Sequence, residues 1–259
     1  MIDFSQMSTL LQVAFIVVGS LLVLATIASV GISIMLFMKY IRFNRKENSL
    51  GMTGQDIARK ILDENGLEHI RVKCTGSILF GNSYSHYFKK VRLRRLTWKK
   101  KSVTSLAMAS QKSCLAILDK EQDPDMVHRV KMTPWIYFGP LACVPIILIG
   151  VVLDILVFGM TGIASIIAAC VGLAFYALSF VMSVKVLKTE IKAQQRAMQL
   201  LRERGMATED ELEDLKELFK LYNIEYINDM IIALLELIWR ILQIVAMAQS
   251  GGSSNSSSS

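Results

Sequence analysis

Histidine, paired cysteine and charge are what this sequence has least of. Only three histidines occur in 259 residues, His69, His86 and His128, and no two stand at a metal-ligand spacing. That excludes an all-imidazole metal centre built on one element. The four cysteines form no CxxC pair, so neither a zinc ribbon nor a dithiol redox motif is encoded. Cys143 and Cys170 fall in apolar runs, and Cys74 and Cys114 read as packing residues; a thiolate–imidazole site from Cys114 and His86 is the one alternative weighed. No phosphate-cradling glycine loop and no Ser-His-Asp order suggests another enzyme class. Gly19 and Gly31 are not spaced as GxxxG and read as close-packing positions. Charge is missing over long stretches: none between Asp3 and Lys39, and only Asp154 from Met132 to Val184. With 53% hydrophobic residues, 20% charged and a mean hydropathy of +0.42, the chain is neither disordered nor an ordinary cytosolic globule.

What stands in place of charge is apolar chain in lengths that suit a bilayer. A run of about 18 or more apolar residues reads as a spanning helix. Four are expected, over residues 10–38, 133–158, 163–184 and 226–248. The first reads as a retained anchor, since it has no basic leader or small-residue cleavage site. Thr133 is expected to cap the second span with Pro134 in its first turn, and Pro140 and Pro145 to bend it. Residues 159–162 are expected to reverse the chain, and Asp154 to face protein or the interface. In the fourth span Glu236 and Arg240 stand four apart on one face and are expected to pair toward the bundle interior.

Lys and Arg mark the cytoplasmic side of a membrane protein. Of the 29, 20 lie in residues 39–134 and 8 in 185–225, while the 1–9 stub, the 159–162 turn and the 249–259 Ser/Gly tail have none. The expectation is a multi-pass cell-membrane protein with residues 39–132 and 185–225 cytoplasmic, both termini outside, and a disordered tail. The net charge of +7 is partly this topology signal. Its densest cluster, Arg92, Arg94, Arg95, Lys99, Lys100 and Lys101, could also meet anionic lipid or an acidic partner. Nucleic acid is not expected, because no base-reading motif accompanies the charge.

The charged stretches read as a small α+β insert in a mostly α, four-span protein. Thr53 opens a helix over residues 53–67 whose apolar face is Ile57, Ala58, Ile61 and Leu62, ended by Asn65-Gly66. Extended segments follow at 69–73 and 76–80, then a turn at Gly81-Asn82-Ser83 and a long extended run over 84–93. Ser102 opens a helix to about Lys120 with Val103, Leu106, Ala107, Cys114, Ile117 and Leu118 at helical spacing. The third span continues helical to Arg204, and Thr208 with Glu211 makes a capping box for an amphipathic helix bearing Leu212, Leu215, Leu218, Phe219 and Tyr222.

The run from Thr53 to Leu67, TGQDIARKILDENGL, resembles the opening signature of the YugP-like bacterial family of membrane neutral zinc metallopeptidases. Gly76, Leu79, Tyr84 and Val91-Arg92-Leu93 match the hairpin that follows it there, and Glu236 with Arg240 matches an acidic-to-Arg pair in the last span. In that family a helix then carries HExxH, whose histidines bind zinc while the glutamate acts as general base. Here Ala109-Ser110 and Ala116 keep the frame, but Gln111 and Leu115 stand at the two histidine positions and Lys112 at the base. Leucine cannot ligate, and lysine at neutral pH cannot take a proton from water. The segment Glu190-Ile191-Lys192-Ala193-Gln194-Gln195-Arg196-Ala197 resembles the part of the family that supplies the third ligand, at the position of Glu190.

The resemblance therefore implies a degenerate member with no metal and no cofactor, unless non-standard ligands replace the lost ones. A buried carboxylate needs a cation or a proton. Lys112 is the candidate partner for Glu190; the alternative is that both reach water separately. The function expected is a catalytically inactive scaffold or regulator of membrane proteins or proteases. A membrane-surface protein using the basic cluster is the alternative, and a still-active metallopeptidase the third. Expected partners are the bilayer and other membrane proteins, with self-association left open.

Overall fold

The computed structural model describes residues 9–76, 81–157 and 163–253. The described chain runs through α1 (Thr9–Arg45), α2 (Gly54–Asp63), β1 (Arg71–Thr75), β2 (Ser83–Ser85), β3 (Lys90–Arg94), α3 (Arg95–Lys99), α4 (Val103–Lys120), α5 (Pro124–Leu156), α6 (Ile163–Glu203) and α7 (Glu209–Ser253). It divides into two compact units, one from residues 1–30, 132–184 and 227–259, the other from 31–131 and 185–226.

In the second unit, α2 starts at a capping box. The Thr53 hydroxyl accepts from the Asp56 amide at 3.3 Å, and the Thr53 amide donates to the Asp56 carboxylate at 3.2 Å. Past its end Gly66 takes φ +65°, a backbone geometry that glycine adopts without penalty, and the Leu67 amide returns to the Leu62 carbonyl at 2.9 Å. Strand β3 lies centrally, parallel to β1 (Val72 opposite Val91) and antiparallel to β2 (Tyr84 opposite Val91). The extended run expected over 84–93 is broken: residues 86–89 turn, with Lys89 at φ +42°. The bend expected at 81–83 falls at Asn82, and Ser83 already belongs to β2. Of the strand expected over 76–80, residues 77–80, Leu79 included, lie outside the described residues.

Helix α4 is the axis of this unit. Ser102 caps it by accepting from the Ser105 amide at 3.1 Å. Val103, Leu106, Ala107, Cys114, Leu115 and Ile117 are buried in a core that also takes Ile57, Ile61, Leu93, Leu201 and Leu212. Four of its polar side chains, Thr104, Ser105, Ser110 and Ser113, are completely buried too.

Helix α5 begins earlier than expected. The Asp123 carboxylate accepts from the Asp125 and Met126 amides at 3.0 and 3.3 Å, and Pro124 occupies the first position, where a missing N–H costs nothing. Thr133 lies inside the helix rather than at its start. Helix α7 opens on the Thr208–Glu211 box, with Thr208 N–H to Glu211 at 2.9 Å and Glu211 N–H to the Thr208 hydroxyl at 3.3 Å. It then runs unbroken to Ser253, through the boundary expected near residue 226 and into the tail expected to be disordered from 249; residues 254–259 lie outside the described ones.

In the other unit, two helices rather than four are, among the described residues, long and apolar enough to cross a membrane: α1 and α6. Helix α1 shows apolar side chains all round, with Leu10, Ile16, Ile27 and Phe37 exposed, as a lipid-facing helix does. In α7 Asp229, Glu236 and Arg240 interrupt the apolar run. The expected reversal at 159–162 and the side chains of Asp154, Pro134 and Pro140 lie outside what is described. Helices here pack through small and aromatic residues. Phe15 meets Trp239 edge-on at 5.0 Å, and a methyl group added at Gly19 would come within 3.2 Å of that indole. One added at Gly150 would meet Ala168 at 2.3 Å. Gly31, by contrast, has nothing within 4 Å of such a methyl and is not a close-packing position.

Candidate functional site

Three helices of the second unit supply the candidate site: α4 brings Gln111 and Lys112, α6 brings Glu190, and the first turns of α5 bring Arg129. Lys112 Nζ donates to Glu190 Oε2 at 2.8 Å, and the Gln111 amide donates to the same oxygen at 2.9 Å. Arg129 donates to the other oxygen, Oε1, at 2.6 Å. The cluster is largely enclosed, with side chains 12% (Lys112), 15% (Glu190) and 17% (Arg129) exposed. Burial alone pushes the Glu190 carboxyl up. The charges of Lys112 and Arg129, with their hydrogen bonds, outweigh it and hold the group at about 2.

The sequence singled out Gln111, Lys112, Leu115 and Glu190, and the structure brings three of them together. Leu115 is fully buried in the apolar core instead. Arg129 was missed. It stands 61 positions from Glu190 in no motif, and its only signal was a basic residue just ahead of an apolar run.

Gln111, Lys112 and Glu190 form one wall of a cavity of about 260 Å³. Arg94 lines it from the end of β3, Asn82 from the bend before β2, Met108 from α4, Val186 and Leu187 from α6, and Tyr222 from α7. Gln194 and Asn223 exchange two amide hydrogen bonds of 2.9 Å beside it, tying α6 to α7.

Zinc does not fit this donor set. The single carboxylate has both oxygens engaged by Lys112, Gln111 and Arg129, and these three neighbours present N–H donors rather than the thiolate, imidazole or carboxylate ligands that zinc takes. Two cations already lie where a divalent ion would add charge. Among the described residues no group of three His, Cys, Asp or Glu side chains is placed to hold a metal. Cys114 and His86 do not form a site: burial pushes the Cys114 thiol up to about 12, and His86 Nδ1 lies 2.7 Å from Asp119. Asp119 also accepts from the Tyr84 hydroxyl at 2.6 Å and from Lys89 at 3.3 Å. Burial raises its carboxyl, but these partners win and the group sits below its ordinary value. This cluster, too, was absent from the sequence reading.

Of the basic cluster, Arg95, Lys99, Lys100 and Lys101 are exposed, Arg92 is half-buried, and Arg94 lines the cavity. None of the six makes an ion pair among the described residues. Glu236 and Arg240 do not pair with each other or turn inward. Both are exposed and meet Tyr176, whose hydroxyl donates to Glu236 at 2.9 Å and whose ring lies 5.8 Å from the Arg240 guanidinium.

Comparison with known proteins adds two findings. A family profile described as "Putative neutral zinc metallopeptidase" matches residues 17–246. The protein named "Putative membrane protease YugP" from Bacillus subtilis (strain 168) is 24% identical over 222 residues, covering 84% of this chain and 94% of that protein. No solved structure matches the chain.

Proposed function

The chain belongs to this neutral zinc metallopeptidase family, and from that premise we propose that it is a member that binds polypeptide at the family's site without hydrolysing it. The observation that carries the reading is the engagement of Glu190 by Lys112, Arg129 and Gln111, which puts organic cations where catalysis needs a metal and its water. Lys112, at the position of the family's general base, donates to Glu190 at 2.8 Å. In this reading the protein is a scaffold or regulator of other membrane proteins, proteases included. It sits in the cell membrane with the cavity on the cytoplasmic side and both termini outside. Four spans are part of the same proposal, supported by the exposed Leu148, Val152 and Ile155 of α5 and the exposed Ile227, Ile231 and Ile241 of α7, beside α1 and α6.

The test is metal content and peptidase activity of the purified chain. No stoichiometric zinc and no turnover of casein or membrane-protein substrates is the expected result. Stoichiometric zinc, lost together with turnover on Glu190→Ala, would overturn it and establish an active enzyme with unconventional ligands.

A second reading concerns the membrane surface. The exposed, unpaired Arg95, Lys99, Lys100 and Lys101, with Leu96 51% exposed among them, suit anionic headgroups at about 1 kcal/mol per basic residue. Changing these four to glutamine is expected to weaken recruitment of anionic vesicles, and an unchanged affinity would dismiss the idea.

A further inference from the structure

We propose that the cavity beside Glu190 captures the C-terminal carboxylate of a peptide, with Lys112 and Arg94 as its cationic contacts. The proposal rests on the reading above and names the ligand chemistry. Its first support is a charge count at the wall. Lys112, Arg94 and Glu190 line the cavity, and Arg129 backs Glu190 from behind. The lone carboxylate has both oxygens occupied, so its charge is spent on Lys112 and Arg129. Positive charge is left over, in a concavity where water screens it poorly. Among the described residues no second acidic side chain lines the space. Arg94 makes no ion pair among the described residues; its backbone amide donates to Asn82 Oδ1 at 2.7 Å, which anchors the residue while its guanidinium stays available. A planar guanidinium suits a carboxylate.

The rest of the lining separates a peptide from a simple anion. Met108, Val186 and Leu187 offer an apolar surface, and Asn82, Gln194 and Asn223, whose amides are held by the hydrogen bonds already described, each keep a further amide N–H for a peptide carbonyl. Inorganic phosphate would leave both unused. At about 260 Å³ the cavity falls just short of the roughly 300–1,000 Å³ typical of small-molecule sites, which limits it to the last one or two residues of a chain.

The experiment uses the full-length chain in detergent micelles and fluorescence anisotropy of a labelled pentapeptide ending in leucine. The same peptide with an amidated C-terminus and inorganic phosphate as competitor complete the set. The free acid is expected to bind, and amidation to weaken binding by about tenfold or more, the scale of a hydrogen bond to a charged group. Arg94→Gln, a change on an exposed side chain whose folding is checked by thermal melting, should cause a similar loss. Equal binding of acid and amide, no binding of either, an unchanged affinity in Arg94→Gln, or displacement by phosphate as strong as by unlabelled peptide would each overturn the inference. Equal binding of acid and amide would overturn the carboxylate contact alone and leave polypeptide binding standing, while the absence of hydrolysis is tested separately by zinc content and turnover.

Discussion

Glu190 and Asp119 are two enclosed carboxylates in one unit, and they are neutralised by different means. Glu190 faces two cations and one amide. Asp119 faces a phenol, an imidazole and a lysine that is 47% exposed. The first arrangement concentrates charge in a poorly solvated place. The second disperses it over polar groups near water. A cluster that only needed to satisfy its carboxylate would resemble Asp119; that of Glu190 supplies two cations to one carboxylate.

The largest expected effect sharpens that contrast. Glu190→Ala leaves Lys112 and Arg129 facing each other with their carboxylate gone, and should cost about 3–5 kcal/mol in denaturant or thermal unfolding. Asp119→Ala should cost less, about 1–3 kcal/mol, since His86 and Lys89 are 34% and 47% exposed and can turn to water. Equal losses would break the comparison. Next in size, the cycle of Lys112→Ala, Glu190→Ala and the double change should show a coupling of about 0.5–3 kcal/mol, and strict additivity would exclude a direct interaction. Tyr84→Phe, which removes one hydroxyl from Asp119, should cost about 1 kcal/mol. The smallest effect inverts the first: replacing the trio together (Lys112→Met, Arg129→Met, Glu190→Leu) should leave stability within about 1 kcal/mol of the parent, because no unpaired charge remains.

Acid titration tests the electrostatics independently. The folded Glu190 carboxyl is held at about 2, below its ordinary value of 4.5. Its contribution is therefore complete above about 4.5 and is lost as the pH falls from there toward 2. Comparing the acid unfolding of the parent with that of Glu190→Gln should show a flatter slope in the variant across that window.

The capping boxes at Thr53 and Thr208 and the cap at Ser102 were legible because each depends on residues within four positions of one another. Lys112 and Glu190 were legible as a candidate pair only through the positions they hold in the family's motifs. Arg129 was invisible, since nothing local marks a residue whose partner lies 61 positions away. The start of α5 was misread for a related reason: Thr133-Pro134 and Asp123-Pro124 offer the same local signal, and only the wider packing selects the earlier one. Glu236 and Arg240 have the right spacing to pair, yet the Tyr176 ring and hydroxyl serve both better.

The sequence alone determined the helical content, the helix starts that depend on neighbouring residues, the long uncharged runs, and the residues Gln111, Lys112 and Leu115 between Ser110 and Ala116. These follow from chemistry within a turn or two of chain. Tertiary structure decided which cations meet Glu190, that Asp119 gathers Tyr84 and His86, and that Arg94 leaves its basic neighbours for the cavity. Such contacts join helices and strands that are distant in sequence, and their energies depend on burial and distance that no local pattern encodes.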